Sequence, residues 1–258
     1  MSETYPRRRW GRRLFISFIV LLVLVAAALA VADRVAVSYA ERTISDRVAQ
    51  QVTDQKATSE KPDVTVEGFP FLTQVARGVY DEIKIELADF TGPAVEGRTI
   101  QIKLLDIRAK DVIAPFDTLR TGNGEITAGT VTGSGLIDYA QLAELVGQPG
   151  VTLGEKDGKL VGSAPVTALG QTVNVSGNAD LTVKGDVVQV RFSDVKAAGL
   201  PDNALVRGLI NSYVQKLAFN LTVPALPLDL KLQKVEPQAD GLKITAAASN
   251  VALNSAGL

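Results

Sequence analysis

The chain of 258 residues contains no cysteine and no histidine. Without cysteine it can form no disulfide, no thiolate nucleophile and no cysteine-ligated metal site. Without histidine it lacks the Ser-His-Asp triad, histidine acid–base catalysis and almost all of the usual zinc chemistry. An enzyme made of this chain would have to use aspartate, glutamate, lysine or tyrosine, and the fold must depend on apolar burial.

Charge is missing from one long segment, because Leu14 to Ala32 is an apolar run of 19 residues that only Ser17 interrupts. About 20 apolar residues, each adding about 1.5 Å, cross the hydrocarbon core of a bilayer. Five arginines lie just before the run, and no basic residue follows it until Arg34. This asymmetry predicts that residues 1–13 are cytoplasmic and that residues 33–258 form an extracytoplasmic domain.

Two fates fit the apolar segment. It can stay in the cell membrane as a single-pass signal anchor. Alternatively, it can be removed as a signal peptide and leave a secreted or periplasmic domain, because Ala28-Leu29-Ala30 and Ala30-Val31-Ala32 resemble small-residue cleavage sites. The run is longer than the roughly 7–15 apolar residues of an ordinary signal peptide, which favours the anchor.

The rest of the chain is mildly acidic. The whole chain has 27 basic and 28 acidic residues, and without the five N-terminal arginines and Glu3 the counts become 22 and 27. The exported part therefore lacks the basic surface of a nucleic-acid-binding protein. Charge alone would also not hold it to anionic lipid.

Three segments after the apolar run show helical periodicity. Residues 33–52 carry apolar side chains at four-residue spacing, which predicts an amphipathic helix that continues the membrane segment outward. Residues 53–62 are polar and predict a linker. Residues 138–146 and 202–219 predict two further helices. The apolar stripe of the last helix includes Leu205, Leu209, Ile210, Tyr213 and Leu217.

From Val64 onward, apolar and polar residues alternate in many short stretches. These stretches are 64–66, 83–87, 100–104, 173–175, 181–183, 188–192, 228–232 and 242–246. Strands with one apolar and one polar face are typical of an antiparallel sheet with one side in water. Turn sequences such as Asp157-Gly158 separate the strands. The sequence therefore predicts an α+β fold in which a long curved antiparallel sheet wraps around two or three amphipathic helices.

The most distinctive string is Gly68-Phe69-Pro70-Phe71-Leu72-Thr73-Gln74, which directly follows the first predicted strand. Pro70 fixes its own φ and favours an extended Phe69, so both aromatic rings lie on a stiff backbone. In one interpretation the rings plug the end of the core. In the other, Phe69, Phe71 and Leu72 form the apolar lip of a lipid-binding groove or a membrane-facing edge.

This string, followed by Gly78-Val79-Tyr80, resembles the hallmark of the LmeA-like phospholipid-binding family of actinobacteria. Residues 226–232 and 240–246 are similar to that family's C-terminal strand pair, and the likeness spans roughly residues 33–258. The resemblance implies an envelope protein with a TULIP-like fold that binds phospholipids, phosphoinositides among them. It also implies a part in mannan-type lipoglycan synthesis, with a cell-envelope glycosyltransferase as partner, and offers no catalytic residues.

Three functions stay open from the sequence. An extracytoplasmic lipid-binding domain would hold acyl chains along Leu205, Leu209, Ile210, Tyr213 and Leu217, with Phe69 and Phe71 at an entrance. A closed scaffold for envelope enzymes would show the same periodicities around a solid core. A hydrolase without histidine would need two carboxylates about 5–9.5 Å apart if it cleaved glycosides.

Neither catalysis nor a resident metal is predicted from the acidic residues. No spacing places two carboxylates at one site, and exposed strand or turn positions explain the candidates, which are Asp81, Glu82, Asp106, Asp111 and Asp117. The Asp-Gly pairs are turn sequences, since they lack the alternating aspartates of a calcium loop. The sequence therefore predicts no cofactor.

Overall fold

A computed structural model describes residues 10–93, 99–121, 124–146, 149–168, 171–185, 187–197, 219–222 and 230–253. The helices of this part are α1 (Trp10–Asp54), α2 (Phe71–Arg77), α3 (Phe116–Thr121) and α4 (Tyr139–Val146). Six antiparallel strands form sheet A in the spatial order β1 (Asp63–Glu67), β2 (Val79–Pro93), β3 (Thr99–Ile113), β4 (Thr127–Ile137), β11 (Gly241–Ala252) and β10 (Lys231–Gln238). Five more form sheet B in the order β5 (Thr152–Lys156), β6 (Lys159–Ala168), β7 (Gln171–Lys184), β8 (Val187–Ala197) and β9 (Phe219–Thr222). The predicted α+β class is confirmed, and its antiparallel strands are divided between two sheets.

Helix α1 joins the apolar run to the folded domain without a break. Its 45 residues make a rod about 68 Å long. It is the one helix in the described part of the chain that is long and apolar enough to cross a membrane, and 0% of its most apolar 18-residue window is buried. From Asp33 onward α1 packs on the domain, where Asp33, Val37, Ser45 and Val48 are buried. The predicted helix over residues 33–52 is therefore confirmed, and it continues the apolar run.

The second half of α1 also covers the edge of sheet A. β1 is the edge strand, and the N–H of Val66 donates a hydrogen bond to the Glu41 carboxylate at 3.0 Å. Nearer the end of α1, the Ser45 hydroxyl donates to the carbonyl of Pro62 at 2.6 Å. An open strand edge invites pairing with other chains, and here side chains of α1 occupy it.

Several residues of sheet A have positive φ, in the left-handed region of backbone conformation. Each of them shifts the alternation of inward-facing and outward-facing side chains along its strand, and neighbouring strands shift together. Asp111 of β3 (φ 53°) and Asn250 of β11 (φ 55°) both flank Gly129 of β4. The strand register is the same on both sides of this row, so the inward-facing positions move by one residue without an insertion. A Cβ on Gly129 would lie 3.1 Å from the Cβ of Asp111, which explains the glycine. In β2, Asp89 (φ 48°) makes a similar shift near the other end of the sheet.

Two buried clusters fill the space on the inner face of sheet A, defined as the face that carries Val66, Leu87 and Val131. The first lies between sheet A, α1 and α2, and includes Val37, Phe71, Val112 and Leu253. The second lies where α4 and sheet B meet the other end of sheet A, and includes Tyr139, Leu142, Leu160, Val188 and Leu242. The domain thus has one core near the apolar half of α1 and one far from it.

Gln74 connects the first strand to α2 and β2. Its side chain is 1% exposed, its Nε2 donates to the carbonyl of Glu67 at 3.0 Å, and its Oε1 accepts from the N–H of Asp81 at 2.9 Å. Gly68 lies directly beside this amide, and a Cβ there would approach the Nε2 of Gln74 to 2.6 Å. The glycine and the glutamine of the distinctive string therefore form one structural unit.

We expect the substitution Gln74→Met to destabilise the domain by about 2–4 kcal/mol, because it removes the partner of two part-buried backbone groups, at about 1–3 kcal/mol each. The measurement is the free energy of unfolding of the purified chain in urea. Gln238 is exposed, and Gln238→Met should stay within about 0.5 kcal/mol of the parent. Equal effects of the two substitutions would contradict the structural role of Gln74.

Asn250 tests whether the row Asp111–Gly129–Asn250 requires a residue that tolerates positive φ. We expect Asn250→Val to cost about 1–2 kcal/mol of unfolding free energy, because a β-branched residue is strained at positive φ. Asn250→Gly should cost no more than about 0.5 kcal/mol, since glycine adopts this conformation freely. The side chain is exposed, so lost packing does not confuse the comparison. A stable valine variant would argue against the backbone requirement.

Candidate functional site

The loop Gly68–Leu72 separates its two aromatic rings. Phe71 is 6% exposed, and its ring centre lies 6.1 Å from that of Tyr80 in the core. Phe69 is 62% exposed, and the guanidinium carbon of Arg34 lies 5.3 Å from its ring centre, within cation–π range. Leu72 is also exposed. Phe71 thus has the core position that the sequence left open for both rings, whereas Phe69 and Leu72 lie at the surface.

The loop is attached to the end of the apolar run. The N–H of Leu72 donates to the Asp33 carboxylate at 2.7 Å, and Asp33 is 3% exposed. The residue before α2, Pro70, provides no side-chain cap. Asp33 of α1 therefore satisfies one of the free N–H groups at the start of α2, as a capping residue would. This bond holds Phe69 and Leu72 beside the point where α1 leaves the apolar run.

The inner face of sheet A is apolar and only partly covered between the two cores. Its large side chains on β2, β3 and β11 are partly buried, namely Ile83, Ile85, Leu105, Ile107 and Ile244. Small residues lie between them, because Gly135 pairs with Leu105 on one side and with Ile244 on the other, and Gly133 pairs with Ile107 and Ala246. The side chains of Ile102 and Leu230 lie over Gly135 and Gly133, at 3.0 and 3.6 Å from where a Cβ would be, so the face is a shallow apolar trough along β4 that these side chains partly cover.

The outer face of sheet A is charged. On β2 and β3 it carries Glu82, Lys84 and Glu86 opposite Lys110, Arg108 and Asp106. Arg108 donates to both oxygens of Asp106 at 2.9 and 3.0 Å, and this hydrogen bonding lowers the pKa of the Asp106 carboxyl. Side chains of this kind belong in water, so the inner face is the one suited to an apolar ligand.

Three of the five carboxylates weighed as catalytic candidates, Glu82, Asp106 and Asp117, have basic partners. Besides the Asp106–Arg108 pair, Glu82 lies 3.8 Å from Lys110, and Asp117 lies 3.7 Å from Arg120. Within the described residues, no group of three or more acidic side chains is arranged to hold a metal ion. These contacts fit a solvated, ion-paired surface rather than a pair of carboxylates across a substrate.

A cleft of about 670 Å³ lies between α4 and β5. Its volume is in the range of about 300–1,000 Å³ that is common for ligand sites. Tyr139 lies at its base, donates to the carbonyl of Gln238 at 2.7 Å, and has its pKa raised by burial. The lining residues are Tyr139, Ala140, Ala143, Glu144, Pro149, Gly150, Val151, Thr152 and Leu153. The mouth is exposed at Ala140 and Thr152, so this cleft encloses a ligand less completely than a tunnel would.

The residues predicted to contact lipid fall into three groups. Phe69 and Leu72 are exposed at the end of the apolar run, and Phe71 is in the core. Residues 202–218 of the helix predicted over 202–219, among them Leu205, Leu209, Ile210, Tyr213 and Leu217, lie outside the described residues. Phe219 begins β9, so the predicted end of this helix is wrong. The sequence reasoning did not name the trough residues Leu105 and Ile107 as site residues, although alternation along β3 could have identified them.

Comparison with protein-family models gives one match, to the LmeA-like phospholipid-binding family, over residues 31–247. No curated protein matches the chain, and no solved structure does. The TULIP-like character of the fold therefore stays a prediction. The match covers most of the chain and contains the Gly68–Gln74 string, the second half of α1 and both sheets except the last five residues of β11. The chain belongs to the LmeA-like phospholipid-binding family.

Proposed function

We propose that this chain is a membrane-anchored, extracytoplasmic protein that binds phospholipid and holds or transfers it at the cell envelope. The observation that carries the proposal is the partly covered apolar trough on the inner face of sheet A, in a chain of a phospholipid-binding family. We place the acyl chains in this trough and along the apolar stripe that the sequence predicts, which consists of Leu205, Leu209, Ile210, Tyr213 and Leu217.

The energetics of such a site are favourable. Each methylene moved from water into an apolar surface gains about 0.8 kcal/mol, so a C16 chain gains on the order of 10 kcal/mol before the costs of binding. The apolar face needs no charged residue to bind the chain, which agrees with a mildly acidic domain.

The proposed topology follows from α1. The arginines before the apolar run keep the N-terminus in the cytoplasm, and the domain that begins at Asp33 lies on the outer side. The family match supports lipid as the ligand. A preference for phosphoinositides, a part in mannan-type lipoglycan synthesis and a glycosyltransferase partner are finer predictions that rest on the resemblance.

Filling the trough should expel lipid. We expect Leu105→Trp to lower the fraction of chain that carries phospholipid several-fold, because the indole occupies the space of an acyl chain. Leu104→Trp is the matched control, since Leu104 is the preceding residue on β3, points to the opposite face and is 45% exposed. Native mass spectrometry of the purified full-length chain measures the bound lipid.

The outcome separates the lipid-binding function from the scaffold function. Both variants should unfold at the temperature of the parent within a few degrees, which shows that the domain is intact. A parent chain that carries no lipid and exchanges none between vesicles would favour a closed scaffold. If the Leu105→Trp and Leu104→Trp variants carry phospholipid in equal fractions, the trough is not the lipid-binding site.

We also expect the anchor to be retained and the domain to face outward. The chain extracted from membranes should then have the intact mass of 27.3 kDa. The chain has no native cysteine, so a Tyr39→Cys variant can be labelled at one site, and Tyr39 is 75% exposed. A membrane-impermeant maleimide should label it on intact cells. A mature chain that begins at residue 31 or 33 would show cleavage instead.

A further inference from the structure

Exposed large apolar side chains gather at one end of sheet A. Outside α1, the described part of the chain has seven exposed large apolar side chains. Leu104 lies away from this end of the sheet, further along β3. The other six are Phe69, Leu72, Val79, Ile113, Phe116 and Leu119. A monomeric domain rarely groups exposed apolar residues in this way unless the patch contacts another surface.

The chain topology brings these residues together. Val79 and Ile113 form the last pair between β2 and β3 at this end of the sheet. The N–H of Ala114 donates to the carbonyl of Gly78 at 2.9 Å, and a Cβ on Gly78 would lie 3.0 Å from the Cα of Pro115. The end of α2 therefore packs against the turn into α3, so Leu72 on α2 and Leu119 on α3 belong to one surface.

This end of the domain lies beside the end of the apolar run. Leu72 is bonded to Asp33, the first residue after the run. Val37, one helical turn further along α1, is in the same buried cluster as Ala114 and Leu253, which lie at the same end of sheet A. Because α1 is continuous, the patch is held within about one or two turns, roughly 5–11 Å, of the point where the apolar run ends.

We propose that Phe69, Leu72, Phe116 and Leu119 form a docking edge that enters the outer leaflet of the same bilayer that α1 crosses. The occupant of this surface is a phospholipid leaflet, because the apolar run of α1, which is long enough to cross a bilayer, ends beside the patch. Phe and Leu side chains that are exposed on the protein at the end of a membrane span insert into the boundary between headgroups and acyl chains. The proposal rests on the proposed outward orientation of the domain.

The charges at the docking edge agree with this position. Arg34 lies over the ring of Phe69, and Arg77 ends α2. Long basic side chains at such a boundary keep their charge among the headgroups while the stem lies on apolar surface. Among the acidic residues nearby, Asp33 is buried and hydrogen-bonded and Asp117 is paired with Arg120, whereas Glu67 and Asp81 are exposed.

Spin labelling of the full-length chain in phosphatidylcholine–phosphatidylglycerol nanodiscs tests the docking edge. The native chain has no cysteine, so Leu119→Cys and Leu104→Cys each give one nitroxide. The two side chains are matched at 46% and 45% exposure. We expect the ratio of collision rates with oxygen and with a water-soluble nickel chelate to be several-fold higher for the label at position 119. Similar ratios at the two positions would overturn the proposal.

A second measurement keeps the docking edge distinct from lipid binding. Native mass spectrometry of both labelled variants reports the bound phospholipid. A domain that carries lipid while its label at position 119 stays in water would contradict docking and leave the proposed function intact. A domain without lipid whose label is immersed would support docking and contradict lipid carriage. Phe69→Cys provides a third position, and its label should be immersed as deeply as the one at position 119.

Discussion

The hydrogen bond from the N–H of Leu72 to the buried carboxylate of Asp33 connects the two parts of the molecule. Burying a carboxylate is costly unless it is hydrogen-bonded, and the start of α2 supplies both an N–H and the positive end of a short helix dipole. The same bond caps α2, positions Phe69 at the surface and lets Phe71 reach the core. The Gly68–Gln74 string is thus primarily a joint between the apolar helix and the sheet, and its exposed aromatic follows from that joint.

Sheet A has two different faces because its strands alternate, and the left-handed rows adjust that alternation without changing strand register. The charged outer face forms ion pairs along β2 and β3. The inner face has cores at both ends and glycines between larger residues in the middle. A sheet needs its ends packed to be stable, but the middle can stay partly uncovered when a ligand or another element completes it. This division places stability at the ends of the sheet and binding capacity between them.

Much of this architecture was predictable from the sequence where apolar spacing is strong. The helix over residues 33–52, the helix α4 and most strands follow from periodicity, and Asp157-Gly158 forms the predicted turn with φ values of 54° and 74°. β4 was missed because its glycines, threonines and serine contain few large apolar residues, and its strand identity comes from pairing with β3 and β11. α2 is too short to show a period. The different fates of Phe69 and Phe71 depend on the tertiary contacts to Arg34 and Tyr80, which no local pattern contains.

The continuity of α1 changes how the anchor affects function. A flexible tether would only raise the local concentration of the domain near the membrane, and every orientation would be sampled. A continuous helix that is buried on one side against sheet A and bonded at Asp33, Glu41 and Ser45 restricts orientation as well. In the proposed docking, the axis of the helix determines which end of the sheet faces the leaflet, and that end carries the exposed apolar residues. The inner face of sheet A begins at the same end, but the packed core around Phe71 and Val112 lies between that end and the trough. The proposed transfer of lipid from the leaflet to the trough therefore requires this core to open.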